Sequence, residues 1–301
     1  MPFRLAHLSD PHLPPEGAPV GLRDLASKRT LSRIAWRRKR REHDPAVLAA
    51  LTADVKAQGP DHLAITGDLT NFSTPEEFAN ARAWLAGLGA PADVTVSPGN
   101  HDALVARGAD ARFATLAPWL GDAGDAVFPQ VRRRGPVALV NLSSAVATGL
   151  FVATGRLGAD QLHRLDGVLA ELAATGLCRI VMLHHPPAPG VVSRRKSLLD
   201  AEALRALLAR HGAELVLHGH GHEAAFNAIP GPRGPIAVLG CPSASAAPGG
   251  RHPAGRWHMV EVEPAAPRGD IRIIVRGLHG PDRGFCELGR YALSAVTGIA
   301  A

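Results

Sequence analysis

Residues 214–223 read ELVLHGHGHE, a short apolar run that ends in three histidines separated by single glycines. Leu215, Val216 and Leu217 make the kind of continuous run that a strand buried on both faces requires, and candidate ligands follow at its carboxyl end. The same construction recurs along the chain. RLAHLSDPH spans residues 4–12, HLAITGD spans 62–68, DVTVSPGNHD spans 93–102 and RIVMLHH spans 179–185. Further strand-like runs are VALVNLSS, PIAVLGC, WHMVEVEP and IRIIVRGL. Between them lie helical patterns. DPAVLAALTADVKAQG begins with Asp44 as N-cap and Pro45 in the first turn, and places Val47, Leu48, Leu51 and Val55 at helical spacing. Thr74 and Glu77 form a capping box before Phe78, Trp84, Leu85 and Leu88. Two more helical patterns, DQLHRLDGVLAELAATG and DAEALRALLARHG, run into glycine. This alternation predicts a layered α/β architecture.

The chain has 301 residues, 46% of them hydrophobic, and no apolar stretch of the roughly 18 residues that a membrane span needs. With no internal repeat and no long linker, one domain over residues 1–301 is expected, carrying a basic helical insertion at about 20–43 and a weakly patterned C-terminal extension at about 279–301. The N-terminus enters a strand-like run without a secretory pattern, so a cytoplasmic location is expected. Cys178, Cys241 and Cys286 lie far apart, which gives no disulfide framework and no thiolate zinc site. A net charge of +6 suits an anionic partner without saying which.

The chemistry-bearing residues fall at strand ends, where sites of layered α/β proteins form. Asp10 and His12 follow the first strand, Asp68 the second, and Asn100, His101 and Asp102 the third. His184 and His185 follow RIVML, and His218, His220 and His222 end the run quoted first. One such residue is usually structural, whereas five clusters at five strand ends point to a site. Carboxylate, imidazole and carboxamide without thiolate suit Mn, Fe, Zn, Co or Ni. Seven candidate ligands exceed the three of a single catalytic ion. A carboxylate bridging two ions about 3.5 to 4 Å apart permits a shared hydroxide for in-line attack on phosphorus, hence phosphoester hydrolysis.

The ordered motifs DPH, GD, GNHD, HHPP and GHGH resemble those of the calcineurin-like metallophosphoesterase superfamily, over Asp10 to His222. Their spacing is most similar to the bacterial branch of class III cyclic-nucleotide phosphodiesterases and glycerophosphodiesterases. The resemblance implies a four-layer α-β-β-α sandwich of two mixed sheets and two divalent or mixed-valence metal ions. It places Asp10, His12 and His222 on the first ion and Asn100, His184 and His220 on the second, with Asp68 bridging. It makes His101 the group that stabilises or protonates the leaving oxygen, with Asp102 orienting its ring. Gly67, Gly99, Gly219 and Gly221 are read as allowing sharp turns and close approach of the ligands. His185 and His218 are read as residues behind the ligands. His7, His62, His163, His211, His252, His258 and His279 carry no motif.

Outside the motifs, Trp36 beside Arg37, Arg38, Lys39, Arg40 and Arg41 is read as a solvated helix face, a peripheral contact with an anionic inner membrane face, or a device that steers phosphates. Arg132–Arg134 and Arg194–Lys196 are placed in loops. One Tyr and eight Phe leave few stacking platforms, which argues against nucleic acid as a partner. Three functions follow from these readings. The first is a phosphodiesterase acting on cyclic nucleotides or glycerophosphodiesters. The second is a pyrophosphatase for a nucleotide-sugar or lipid-linked substrate at a membrane surface. The third is a metal-free binding scaffold, disfavoured because no ligand position is substituted. The late strands and the tail are a candidate dimer surface.

Overall fold

The computed structural model describes residues 1–15, 28–39, 42–264, 270–279, 284–294 and 298–300. Two mixed sheets lie face to face. The strands of the first are β1 (Phe3–Leu8), β2 (His62–Ile65), β3 (Val94–Val96), β10 (Arg256–Val262), β11 (Ile271–His279), β12 (Gly284–Ser294) and β13 (Gly298–Ala300). Their order is β13-β12-β11-β10-β1-β2-β3, with β1, β2 and β3 parallel and the rest antiparallel. The second sheet contains β4 (Gln130–Arg134), β5 (Val137–Asn141), β6 (Cys178–Met182), β7 (Leu215–His218), β8 (Ala225–Ile229) and β9 (Ile236–Gly240). Its order is β4-β5-β6-β7-β9-β8, parallel except for the two edge strands.

Burial explains the layering. Between the sheets, Leu5 and Val260 of one pack with Leu139, Ile180, Met182, Leu215 and Leu217 of the other. The outer face of the first sheet is covered by α2 (Pro45–Gln58) and α3 (Pro75–Leu88) through Leu48, Leu51, Val55, Phe78 and Leu85. The outer face of the second is covered by α6 (Ala159–Ala173) and α7 (Ala201–His211) through Leu165, Leu169, Leu172, Leu204 and Leu208. This is the four-layer α-β-β-α sandwich that the sequence implied. A strand covered on both faces has no polar side to show, which is why its sequence reads as a continuous apolar run.

The expected helix starts are present. The Asp44 side chain accepts from Ala46 N at 2.8 Å, and α2 ends at Gly59 in the left-handed region. The Thr74/Glu77 capping box is complete, and Glu77 also accepts from Asn71 N and Phe72 N. The cap of α3 therefore holds the loop that follows Asp68. In the basic insertion, α1 (Lys28–Lys39) is helical; the short helices α4 (Ala109–Ala114) and α5 (Ala117–Leu120) lie between β3 and β4.

Two expectations are corrected. Arg132–Arg134 are not in a loop but on edge strand β4. Arg132 is buried, pairs with Asp122 at 3.2 Å and donates to Pro118 O and Gly121 O. Its two terminal nitrogens are paired, which offsets much of the cost of burying a guanidinium on a strand that three arginines would otherwise disfavour. The extension after residue 279 also gains a role, since β12 pairs along the length of β11 and extends the first sheet. Arg40 and Arg41, and the side chains of Arg37, Arg38 and Lys39, lie outside the described residues. Among the described residues, no helix is long and apolar enough to cross a membrane.

Candidate active site

The sandwich brings the ends of β1, β2, β3, β6 and β7 to one edge, and nine sequence-selected residues meet there. Two candidate ligand clusters share one carboxylate. In the first, Asp10 Oδ1 lies 3.2 Å from His222 Nε2 and 4.0 Å from His12 Nε2, and the two histidine nitrogens are 3.3 Å apart. In the second, His184 Nε2 lies 3.1 Å from Asn100 Oδ1 and 3.2 Å from His220 Nδ1. Asp68 Oδ2 stands between them, 3.8 Å from His12 Nε2 and 3.4 Å from His184 Nε2. All are buried or nearly so.

Each carboxylate is divided in labour. Asp10 Oδ2 accepts from Ser9 Oγ at 2.6 Å and from His220 N at 3.0 Å, and Asp68 Oδ1 accepts from His101 N at 2.8 Å. One oxygen is thereby anchored and the other is turned to the site. Asp10 Oδ1 is buried without a hydrogen-bond partner, and His222 Nε2 lies 3.2 Å from it. An unpaired carboxylate oxygen this close to an imidazole nitrogen fits a cation held between them. The anchored imidazoles tell the same story. His184 Nδ1–H donates to Thr66 O at 2.7 Å and His220 Nε2–H donates to Lys196 O at 3.0 Å, so the opposite nitrogen of each ring faces the site. The donor set, oxygen and nitrogen at spacings of 3.1 to 4.0 Å, is that of borderline divalent ions.

Electrostatics agree with the geometry. Burial alone would raise the pKa of Asp10, but the imidazoles of His222 and His184 hold it well below the usual carboxylate range. Asp68 is likewise held low against its burial, by His184 and His101. Burial opposes a charge on His184, yet Asp68, Asp10 and the Thr66 carbonyl raise it to about 9. Asp102 is pushed up to about 6 by burial and by Asp68, against the backbone N–H groups of Gly99 and Thr70.

The expected role of Asp102 is corrected by its contacts. Its carboxylate accepts from Gly99 N at 2.9 Å, Thr70 N at 2.9 Å and Thr70 Oγ1 at 3.0 Å, and does not touch the His101 ring. The ring is oriented by Asn71 O, which accepts from Nδ1–H at 2.9 Å and leaves Nε2 toward the cavity. Asp102 is turned to unpaired backbone N–H groups and clamps the loops that carry Asp68 and Asn100. His185 and His218 are buried beside the candidate ligands and hydrogen-bond to the surrounding chain. His185 Nε2–H donates to Ala153 O at 3.2 Å and its Nδ1 pairs with Ser144 Oγ, while His218 Nδ1–H donates to Gly219 O.

The glycine reading divides. Gly67 has φ +96°, and a Cβ on Gly99 or Gly219 would collide with Asp68 or with Ser9 and Asp10. Gly221 shows neither constraint. The left-handed backbone falls on the ligands themselves: Asp10, His12, Asp68, His220 and His222 all have φ between 41° and 66°. Non-glycine residues in that region are uncommon and concentrate where function fixes the backbone.

Sequence reasoning missed several residues here. The cavity above the clusters, about 500 Å³, is lined by Lys28, Trp36, His43, Phe72, Leu150, Phe151 and Lys196 besides the ligands. Lys28 Nζ donates to Thr148 Oγ1 and Val152 O, tying α1 to the 148–152 loop. Leu150 and Phe151 stay 52% and 79% exposed. Trp36, read as part of a membrane or solvent face, packs edge-on against Phe72 at 6.1 Å. The sequence reading singles out Trp36 and Lys196 only as parts of basic runs; Lys28, His43, Phe72, Leu150 and Phe151 carry no local signal, because helix and loop meet only in the folded chain. A separate trio, His7, Cys241 and His258, is buried within 4.8 Å of one another. It is internally matched, with His7 Nε2 on Thr66 Oγ1 and the thiol directed at backbone carbonyls.

An α-β-β-α sandwich with a shared-carboxylate, double nitrogen–oxygen cluster defines the class of two-metal phosphoester hydrolases. Residues 3–224 match the family model described as calcineurin-like phosphoesterase, and the chain belongs to that family of phosphoric ester hydrolases. It is 32% identical over 249 residues to a probable cyclic nucleotide phosphodiesterase of Synechococcus sp. strain WH7803, covering 80% of this chain and 82% of that protein. It is 30% identical over 226 residues to another from Synechococcus sp., covering 72% and 77%. A dimetal phosphatase from Danio rerio shares the fold, with TM-score 0.57 and 14% identity over 96% of this chain and 98% of that one.

Proposed function

We propose that this protein is a dinuclear metal-dependent phosphodiesterase acting on cyclic nucleotides. The observation that carries the reading is Asp68 Oδ2, placed 3.8 Å from the first cluster at His12 and 3.4 Å from the second at His184. Asp10, His12 and His222 would hold one ion and Asn100, His184 and His220 the other, with Asp68 able to serve both. Two ions bound there supply Lewis-acid polarisation of the phosphoryl group and lower the pKa of bound water. The chain does the rest. His101 Nε2, directed at the cavity by Asn71, faces the leaving oxygen and delivers its proton, a contribution of about 10²- to 10⁴-fold. Asp102 holds the two ligand loops at fixed separation. Trp36, Phe72, Leu150 and Phe151 form an apolar wall beside the ligands, of a size and chemistry that suit a nucleobase.

The relatives named as probable cyclic nucleotide phosphodiesterases support the substrate class. The inward-facing Trp36 favours this reading over a pyrophosphatase working at a membrane surface. The test is a panel of 3′,5′- and 2′,3′-cyclic nucleotides, glycerophosphodiesters, nucleotide sugars and monoesters with Mn in the assay. Cyclic nucleotides are expected to give the highest kcat/KM. A preference for nucleotide sugars would replace the reading with the pyrophosphatase, and no turnover of any ester by metal-loaded protein would end both.

A further inference from the structure

His43 belongs to none of the motifs, yet it stands at the first cluster. Its imidazole offers a ring nitrogen within 4.8 Å of those of His12 and His222, with ring centroids 4.4 and 5.7 Å from those two residues. The backbone fixes it there. Residue 43 bridges Ala246, Asp44 N donates to Ser245 O at 2.8 Å, and Ala247 N donates to Glu42 O at 2.9 Å. His43 thus enters the site on a short antiparallel contact with the loop after β9, not on a frayed segment.

Its hydrogen bonds indicate which nitrogen faces the cluster. The carbonyl of Asp10 can only accept, so Ser243 Oγ donates to it, at 2.6 Å. Ser245 Oγ lies 3.3 Å from Ser243 Oγ and 2.8 Å from His43 Nδ1. With the Ser243 proton committed to Asp10, the contact between the serines is satisfied when Ser245 donates to Ser243. Ser245 then accepts from His43 Nδ1–H, and Nε2 keeps its lone pair. His184 and His220 follow the same rule, one ring N–H fixed on a protein acceptor and the other nitrogen left for the site. The relay from His43 ends on Asp10, itself a residue of the first cluster.

We propose that His43 is an additional ligand of the ion held by Asp10, His12 and His222, with Nε2 as the donor atom. This rests on the dinuclear reading. It makes the first position richer in nitrogen than the motif residues alone provide, which favours Fe, Co, Ni or Zn over Mg there.

The test uses the full chain, stripped with a chelator and titrated with cobalt(II) by equilibrium dialysis and visible absorption. The unmodified protein is expected to bind two ions. His43→Gln is expected to keep one with unchanged affinity and to bind the other tenfold or more weakly, with an altered cobalt absorption band as a ligand is lost. Circular dichroism of the metal-free proteins establishes that the variant folds. In the unmodified cobalt protein, proton NMR is expected to show a paramagnetically shifted ring N–H from His43 in addition to those of His12, His184, His220 and His222. Unchanged affinities and spectrum in His43→Gln, or no shifted His43 resonance, would overturn the assignment. Failure of the unmodified protein to bind two ions would instead remove the dinuclear reading.

Discussion

His12 and His222, 210 positions apart in sequence, meet Nε2 to Nε2 at 3.3 Å beside the buried Oδ1 of Asp10. Two ring nitrogens in that position cannot both donate to each other, and a buried acceptor without a partner costs about 1 to 3 kcal/mol. A cation relieves all three atoms together. Stripping metal with a chelator is therefore expected to lower Tm, and restoring Mn at about 100 times its Kd to return about 2.7 kcal/mol per site. For a chain of this size that is a shift of several degrees in a thermal melt. An unchanged melting curve with and without Mn would count against a metal centre here.

Asp68 is the residue common to both clusters, so its loss should disable both. Asp68→Ala and Asn100→Ala are expected to reduce kcat for bis(p-nitrophenyl) phosphate by roughly 10³-fold or more, the scale of losing a preorganised electrostatic group. Near-normal turnover in either variant, measured with confirmed folding, would contradict the assigned cluster.

His101 is held by Asn71 O with Nε2 toward the cavity. A proton donor matters most when the leaving group is poor. His101→Asn is expected to slow cleavage of a cyclic nucleotide by about 10²-fold or more, and of a p-nitrophenyl ester by much less. Equal losses on both substrates would argue for a positioning role instead.

Gly219 has no space for a side chain, because a Cβ there would collide with Ser9 and Asp10. Gly219→Ala is expected to displace Asp10 and cut activity by about 10²-fold, in keeping with the sensitivity of catalysis to displacements of about 1 Å. Gly221→Ala, where the nearest atom lies 3.7 Å away, is the matched control. A larger loss at Gly221 than at Gly219 in the same assay would reverse the argument.

Two histidines away from the metal clusters predict the acid side of the stability profile. Burial holds His62 at about 3, helped by Arg132 and Arg134, and holds His258 at about 3, helped by Arg256. Each is neutral in the folded chain and free to protonate near pH 6.5 once unfolded. The unfolded state therefore binds more protons, and stability falls as pH drops from 6.5 toward 3. At pH 5 each contributes a loss of roughly 2 kcal/mol. Urea titrations of His62→Gln should show a shallower pH dependence than the unmodified protein, and an identical slope would remove His62 from the account.

The sequence determined most of the buried strands and where candidate ligands fall along them. Strands covered on both faces need apolar runs, and a polar residue at the end of such a run has few structural uses. That is why Asp10, Asp68, Asn100, His184 and His220 stood out as a set rather than one by one, while the four-layer order came from the resemblance of their motifs to a known family. Edge strands escaped for the same reason in reverse: β4 carries three arginines and β8 is only partly buried, so neither shows the apolar signal. Tertiary structure alone decided the rest. It turned Asp102 to backbone N–H groups rather than to His101, and it folded Trp36 inward onto Phe72. It also set His43 beside His12 through a single bridge to Ala246. Such contacts join residues that no periodicity relates, and only the closure of one sheet on the other brings them within reach.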